Sequence, residues 1–151
     1  MLARTMSAQG RLVLSLALVL ACALGSAGCA TPASPTFGTV SAAGLAGPWK
    51  LEILQRTGGP AIAVPPNTVY TLTFADSLVS VRADCNTCVG SFTIVGDAIT
   101  LPPVLACTRA ACDTSTIEVI YTALLQGESR VGVSGQTMVL NSARGQLRFT
   151  R

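Results

Sequence analysis

Histidine is absent from the 151 residues, and lysine occurs once, at Lys50. Without histidine there is no His-based triad, no His-ligated metal and no side chain whose ordinary pKa suits proton shuttling at neutral pH. Aromatic residues make up 5% and charged residues 11% of the chain. The formal balance of 10 basic against 7 acidic residues is +3. Arg4 and Arg11 precede a long apolar run, and no acidic residue comes before Glu52; without those two arginines the balance is 8 against 7, or +1. Such a surface has little attraction for phosphate, so nucleic acid is not an expected partner. The four aspartates Asp76, Asp84, Asp97 and Asp113 are scattered at expected turns and strand ends, where Asp commonly caps turns. General acid–base work needs two positioned groups. No catalytic residues, cofactor or metal are assigned, and the chain is not expected to be an enzyme.

What is present first is a leader. Residues 1–28 have the layout of a bacterial export signal: Arg4 and Arg11, then the apolar stretch Leu12–Leu24, then small residues. That stretch is about thirteen residues, short of the roughly 20 that span a bilayer as a helix. The leader ends Ser26-Ala27-Gly28-Cys29, which resembles a lipobox, with Ser26 where Leu or Val is usual. The resemblance implies diacylation of Cys29, which becomes the new N-terminus; ordinary cleavage by the general signal peptidase is the competing reading. Cysteine arithmetic agrees. Of Cys22, Cys29, Cys85, Cys88, Cys107 and Cys112, the first leaves with the signal and the second takes the lipid, so an even four remain. Residues 29–44, rich in Ala, Thr, Ser and Pro, read as a lipidated N-terminus and flexible linker. Ala30 stands where an Asp would resemble an inner-membrane retention signal. The expected location is therefore the cell envelope, at the periplasmic face of the outer membrane if the host is Gram-negative.

Residues 45–151 form the expected domain, small enough to gain from covalent cross-links. Alternation marks most of it as sheet. Trp49, Leu51 and Ile53 share a face of a first strand, and Val69, Leu72 and Phe74 belong to a second. Asp76-Ser77 turns into Leu78–Arg82, and strands at 91–95 and 98–101 flank a Gly96-Asp97 hairpin loop. Val131–Val133, Met138–Leu140 and Leu147–Phe149 make a closing meander. One segment has helical period: Ile117, Ile120, Tyr121, Leu124 and Leu125, preceded by the capping box Ser115-Thr116-Ile117-Glu118 and stopped by Gly127. The fold class is thus α+β, mainly β: a curled antiparallel sheet, barrel-like but incomplete, wrapped around one amphipathic helix. The apolar Ala61-Ile62-Ala63-Val64 between breakers is either a loop folded over a core edge or an exposed lip for a partner or lipid.

The chemically conspicuous residues are Cys85-Asn86-Thr87-Cys88 and Cys107-Thr108-Arg109-Ala110-Ala111-Cys112. Two clusters of thiols suit zinc, and a C-x-x-C pair suits redox chemistry, but export to an oxidising compartment favours two structural disulfides. Four cysteines allow three pairings, and spacing does not choose among them.

Taken with Leu45-Ala46-Gly47-Pro48-Trp49, Gly90, Phe92, Met138-Val139-Leu140 and Gly145-Gln146-Leu147-Arg148-Phe149, these motifs resemble the META domain family, which includes the HslJ-like heat-shock proteins. Asp84 stands where that family often has Gly, and Ala110 where Met is common. Cys88 and Cys107 look like a paired addition to the family pattern, which implies Cys88–Cys107 and Cys85–Cys112 bridges. The resemblance implies a curled sheet holding a helix, in an extracytoplasmic domain tied to envelope stress or integrity without an agreed molecular activity. Expected partners are the membrane, through the lipid, and an envelope protein or apolar ligand; the chain is expected to be monomeric. Ile62, Val64, Trp49 and Asn86 are the candidate contacts, and a cleft between sheet and helix would add the apolar helix face and the Ala61–Val64 loop. The alternative is a periplasmic protease inhibitor, since the stretch from Leu45 to Leu51 also resembles small β-barrel inhibitors whose flexible N-terminal segment enters a protease cleft.

Overall fold

A computed structural model describes residues 35–112 and 117–151. The leader, Cys29, and the Ser115-Thr116 half of the capping box lie outside the described residues. In chain order the elements are β1 (Thr36–Phe37), α1 (Ala42–Leu45), β2 (Gly47–Arg56), β3 (Ala61–Ala63), β4 (Tyr70–Ala75), β5 (Leu78–Ala83), β6 (Asn86–Ser91), β7 (Thr93–Val95), β8 (Ala98–Leu101), β9 (Ala106–Cys107), α2 (Glu118–Leu125), β10 (Gly127–Ser134), β11 (Thr137–Ser142) and β12 (Gly145–Thr150). The strands form one sheet in the order β7-β8-β10-β11-β12-β2-β4-β5-β6-β9, with β1 on β10 and β3 on β2. All of these pairings are antiparallel.

The curl follows from chain order. β6 runs through Phe92 directly into β7, which sits at the opposite end of the strand order. The sheet is therefore bent round until its two ends are joined by covalent chain rather than by a ladder. Phe92 makes the corner: its side chain is buried edge-on against Phe74 at 5.0 Å, and its amide donates to the Ser77 carbonyl at 3.0 Å. The single strand expected over 91–95 is divided at this residue.

The concave side encloses the core, and α2 lies in it. Tyr121, Leu124 and Leu125 are buried, with Ile117 just ahead of the helix. Tyr121 donates its hydroxyl to the Thr71 carbonyl at 3.0 Å and sets its ring edge-on to Tyr70 at 5.5 Å. Near α1, Trp49 is fully buried. Its indole N–H donates to the Leu45 carbonyl at 2.8 Å, and the Arg151 guanidinium stacks 3.9 Å above the ring. Each large side chain sealed in this way contributes roughly 1.5–3 kcal/mol of apolar burial.

Three local expectations are corrected. The inward face of β2 is Trp49, Leu51 and Leu54, with Ile53 only half-buried. The ladder with β12 pairs Arg148 with Ile53 but Phe149 with Leu51, so Glu52 is an extra residue, a bulge that inverts the alternation after it. In β4 the buried set is Tyr70, Leu72 and Phe74, while Val69 is 51% exposed; counting back by twos from Phe74 reaches Tyr70, not Val69. Finally, part of the segment read as a linker is built into the fold: Thr36–Phe37 pairs with Gly132 and Val133, and the Val40 amide donates to the Gly96 carbonyl at 3.0 Å.

Candidate functional site

The cysteine clusters come together around one amide. β5 and β6 are joined by the two-residue turn Asp84-Cys85, in which Asp84 takes φ 57°, the left-handed geometry such hairpins demand. The turn presents Asn86 as the first residue of β6, facing inward and 3% exposed. Its Nδ2 donates to the Ala110 carbonyl at 3.0 Å and to Glu118 Oε1 at 2.9 Å, with Cys112 Sγ at 3.4 Å. Its Oδ1 accepts from Thr108 Oγ1 at 2.9 Å and from the Ala110 amide at 2.8 Å. Thr87 and Thr108 complete the clasp, each amide donating to an oxygen of the other residue at 3.0 Å. The Glu118 carboxylate, expected to close a capping box, is thus engaged across the fold by Asn86.

The sulfurs bracket this hub. Cys85 is bonded to Cys112 and Cys88 to Cys107, with Cα separations of 5.6 and 4.0 Å. Cys88 and Cys107 stand directly opposite each other in the β6–β9 ladder. With all four sulfurs bonded in pairs, none is a free thiolate. The Thr-x-x-Ala-Cys and Cys-Asn motifs, separate in sequence, are two halves of one hydrogen-bonded and cross-linked junction.

Beside the hub lies Tyr70, whose hydroxyl is buried with no hydrogen-bond partner among the described residues. Burial, and then the negative charges of Asp84 and Glu118, push its pKa up to about 12. Burial also raises Tyr121 well above the ordinary tyrosine value.

The four candidate contacts do not converge. Trp49 is sealed in the interior, and the polar atoms of Asn86 are committed to the hub. Ile62 sits opposite Leu54 in β3 and packs half-buried on the core edge, and Val64 donates its amide to the Glu52 carbonyl at 2.9 Å. Ala61–Ala63 is a short strand rather than a loop. Val64 also borders a small recess of about 310 Å³ with Lys50, Glu52 and Thr68.

A larger groove, of about 590 Å³, opens elsewhere, between the outer flank of α2 and the turn after β2. Val119, Ile120, Ala123 and Leu124 form its apolar side, Thr57–Gly59 its wall, and Arg56 and Arg144 its charged rim. The turn after β2 is tied to the β11–β12 turn: Thr57 donates its amide to the Arg144 carbonyl and its hydroxyl to the Ala143 carbonyl, both at 2.9 Å. Neither groove arginine joins the ion pairs found among the described residues, Arg130–Asp97 and Arg148–Glu52. The apolar helix face expected at a sheet–helix cleft supplies Ile120 and Leu124 here, but that reading missed Val119, Ala123 and the two arginines. The available signal was composition, since six of the eight residues Glu118-Val119-Ile120-Tyr121-Thr122-Ala123-Leu124-Leu125 are apolar, more than one buried stripe uses.

Comparison with known proteins places this architecture. The family model described as META domain matches residues 43–151. A solved NMR structure of a protein from Burkholderia xenovorans is 27% identical, with a TM-score of 0.64 over 80% of this chain and 92% of that one. A second NMR structure is 20% identical, with a TM-score of 0.56 over 74% of this chain and 94% of its own, a likeness of fold. No curated protein matches the chain.

Proposed function

The chain belongs to the META domain family, and from that premise we propose that it is an exported envelope lipoprotein whose META domain binds or supports rather than catalyses. The observation that carries this reading is the sulfur pairing. Every cysteine of the domain is consumed in a bridge, Cys85 with Cys112 and Cys88 with Cys107. Such bridges persist in oxidising compartments, which agrees with the export-like leader. After signal removal, Cys29 is then the one cysteine left over, at the lipobox-like position. The domain's most elaborate polar cluster, around Asn86, is closed upon itself and serves the fold. An envelope role in stress or integrity and a location at the periplasmic face of the outer membrane extend this reading.

Protease inhibition gains no support from the observations. It calls for a flexible segment ahead of Leu45, whereas Thr36–Phe37 is laddered to β10 and Ala42–Leu45 is helical.

The test is the intact mass of the membrane-extracted protein, alkylated under denaturing conditions without reduction. A diacylated or triacylated chain beginning at Cys29 and carrying no alkyl adducts is expected. A soluble chain, or one that takes up alkyl groups, overturns the proposal.

A further inference from the structure

A helix that is apolar on nearly every side is ordinarily covered on every side. Only half of that holds for α2. Tyr121, Leu124 and Leu125 enter the core, whereas Val119 is 77% exposed, and Ile120 and Ala123 are partly so. This uncovered flank is one side of the groove of about 590 Å³, a volume typical of small-ligand sites. The groove is also lined by Arg56 and Arg144, which have no carboxylate partner among the described residues. The rim is also held in place before any ligand arrives, because Thr57 bonds the two turns together, and preorganisation lowers the cost of binding.

Apolar wall and paired cations together select an occupant. A neutral hydrocarbon would leave the arginines unused, and a small hydrophilic anion would leave Val119 and Ala123 in water. We propose that the groove binds a single-chain anionic amphiphile of the fatty-acid type. The acyl chain lies along Val119, Ile120, Ala123 and Leu124, and the carboxylate is held by Arg56 and Arg144 through charge-assisted hydrogen bonds. The concavity favours an inserted chain over a flat bilayer surface. The inference deepens the reading of the domain as a binding module and does not depend on the lipid anchor.

The experiment is calorimetric titration of the protein as isolated from its host with monomeric dodecanoate, alongside the neutral monoglyceride of the same chain. Amide chemical shifts report the site. Dodecanoate is expected to bind, to shift Val119, Ala123 and Gly58, and to bind more tightly than the monoglyceride. The double variant Arg56→Gln, Arg144→Gln loses about five- to tenfold in affinity, in keeping with two exposed ion pairs, and no longer separates the two ligands. Val119→Glu, at an exposed position that folding does not need, loses affinity for both.

No dodecanoate binding, or binding unchanged in both variants, overturns the proposal. Association with phosphatidylglycerol vesicles but not with the monomeric acid also overturns it, in favour of a membrane-contact surface. The two proposals fail separately. A chain that binds dodecanoate but lacks acylation at Cys29 sinks the anchor, and an acylated chain that ignores dodecanoate sinks the groove.

Discussion

At Asn86 the side-chain amide meets a carbonyl, a carboxylate, a hydroxyl and a backbone amide at 2.8–3.0 Å. Removing it breaks bonds that are part-buried, at about 0.5–1.5 kcal/mol for each neutral one and about 1.5–3 kcal/mol for the one to the Glu118 carboxylate, partly relieved by relaxation and water. Asn86→Ala is expected to lower stability by about 2–3 kcal/mol in urea denaturation on that basis; a loss under half a unit would mean the hub does not hold the 106–112 segment. The two tyrosines make an opposed pair. Tyr121 spends its hydroxyl on Thr71, while the Tyr70 hydroxyl is buried without a partner. Tyr121→Phe should therefore cost about 1 kcal/mol, and Tyr70→Phe nothing, or bring a small gain. Both phenols have folded pKa values raised above the unfolded value near 10, Tyr70 to about 12 and Tyr121, through its burial, well above its ordinary value. Below pH 10 both states keep their protons and the stability is whole. As pH rises from 10 towards 12 the unfolded chain loses protons first, and stability falls by up to about 1.4 kcal/mol per pH unit for each tyrosine. With only two tyrosines in the chain, tyrosinate absorbance should appear together with unfolding. Ionisation of a full tyrosine equivalent in the folded protein would contradict the burial argument.

Along a single strand, the bulge at Glu52 decides which side chains count. Leu54 is fully buried and Ile53 is not. Leu54→Ala should cost about 2–5 kcal/mol, as buried leucines do, and Ile53→Ala markedly less; equal losses would mean that the alternation runs unbroken. The start of β12 is equally constrained. Gly145 takes φ 149°, and a Cβ there would run into the Gln55 carbonyl and the Arg56 backbone. Gly145→Ala is thus expected to destabilise by about 3 kcal/mol or more, with loss of the groove rim, measured by thermal melting. These two positions show where the sequence is readable and where it is not. Strict alternation in Tyr70–Ala75, Leu78–Ala83 and Gly145–Thr150 made those strands legible, because period and burial coincide there. Trp49-Lys50-Leu51-Glu52-Ile53-Leu54 satisfies period two through Ile53 and, with one bulge, through Leu54. The choice is made by the facing strand β12, which lies some 90 residues away in sequence. The outer flank of α2 escaped for a related reason. A stripe at helical spacing identifies what the helix buries, and is silent on whether the opposite side meets solvent or a ligand.

For the whole domain, covalent closure works at two levels. The sheet closes on itself through Phe92, and the segment that would otherwise hang from its edge is locked by two bridges. The pairing followed from family resemblance, since spacing permits three pairings; it is the hub at Asn86 that brings the right sulfurs together. The bridges are nested: Cys88–Cys107, with a separation of 19, lies wholly inside Cys85–Cys112, with a separation of 27. Nesting makes them interdependent. With one bridge in place the other closes only a short remaining loop, so deleting either alone costs about 2–2.5 kcal/mol in the chain-entropy model, whereas deleting both costs about 6 kcal/mol. The double loss is of the order of the entire stability of a small domain. Urea denaturation of Cys85→Ser with Cys112→Ser, of Cys88→Ser with Cys107→Ser, and of all four together is therefore expected to show a deficit about 1 kcal/mol larger than the sum of the two pairs. Simple additivity would mean that each bridge constrains the unfolded chain without regard to the other. A fully reduced chain that stayed folded would remove the physical reason for placing this domain in an oxidising compartment.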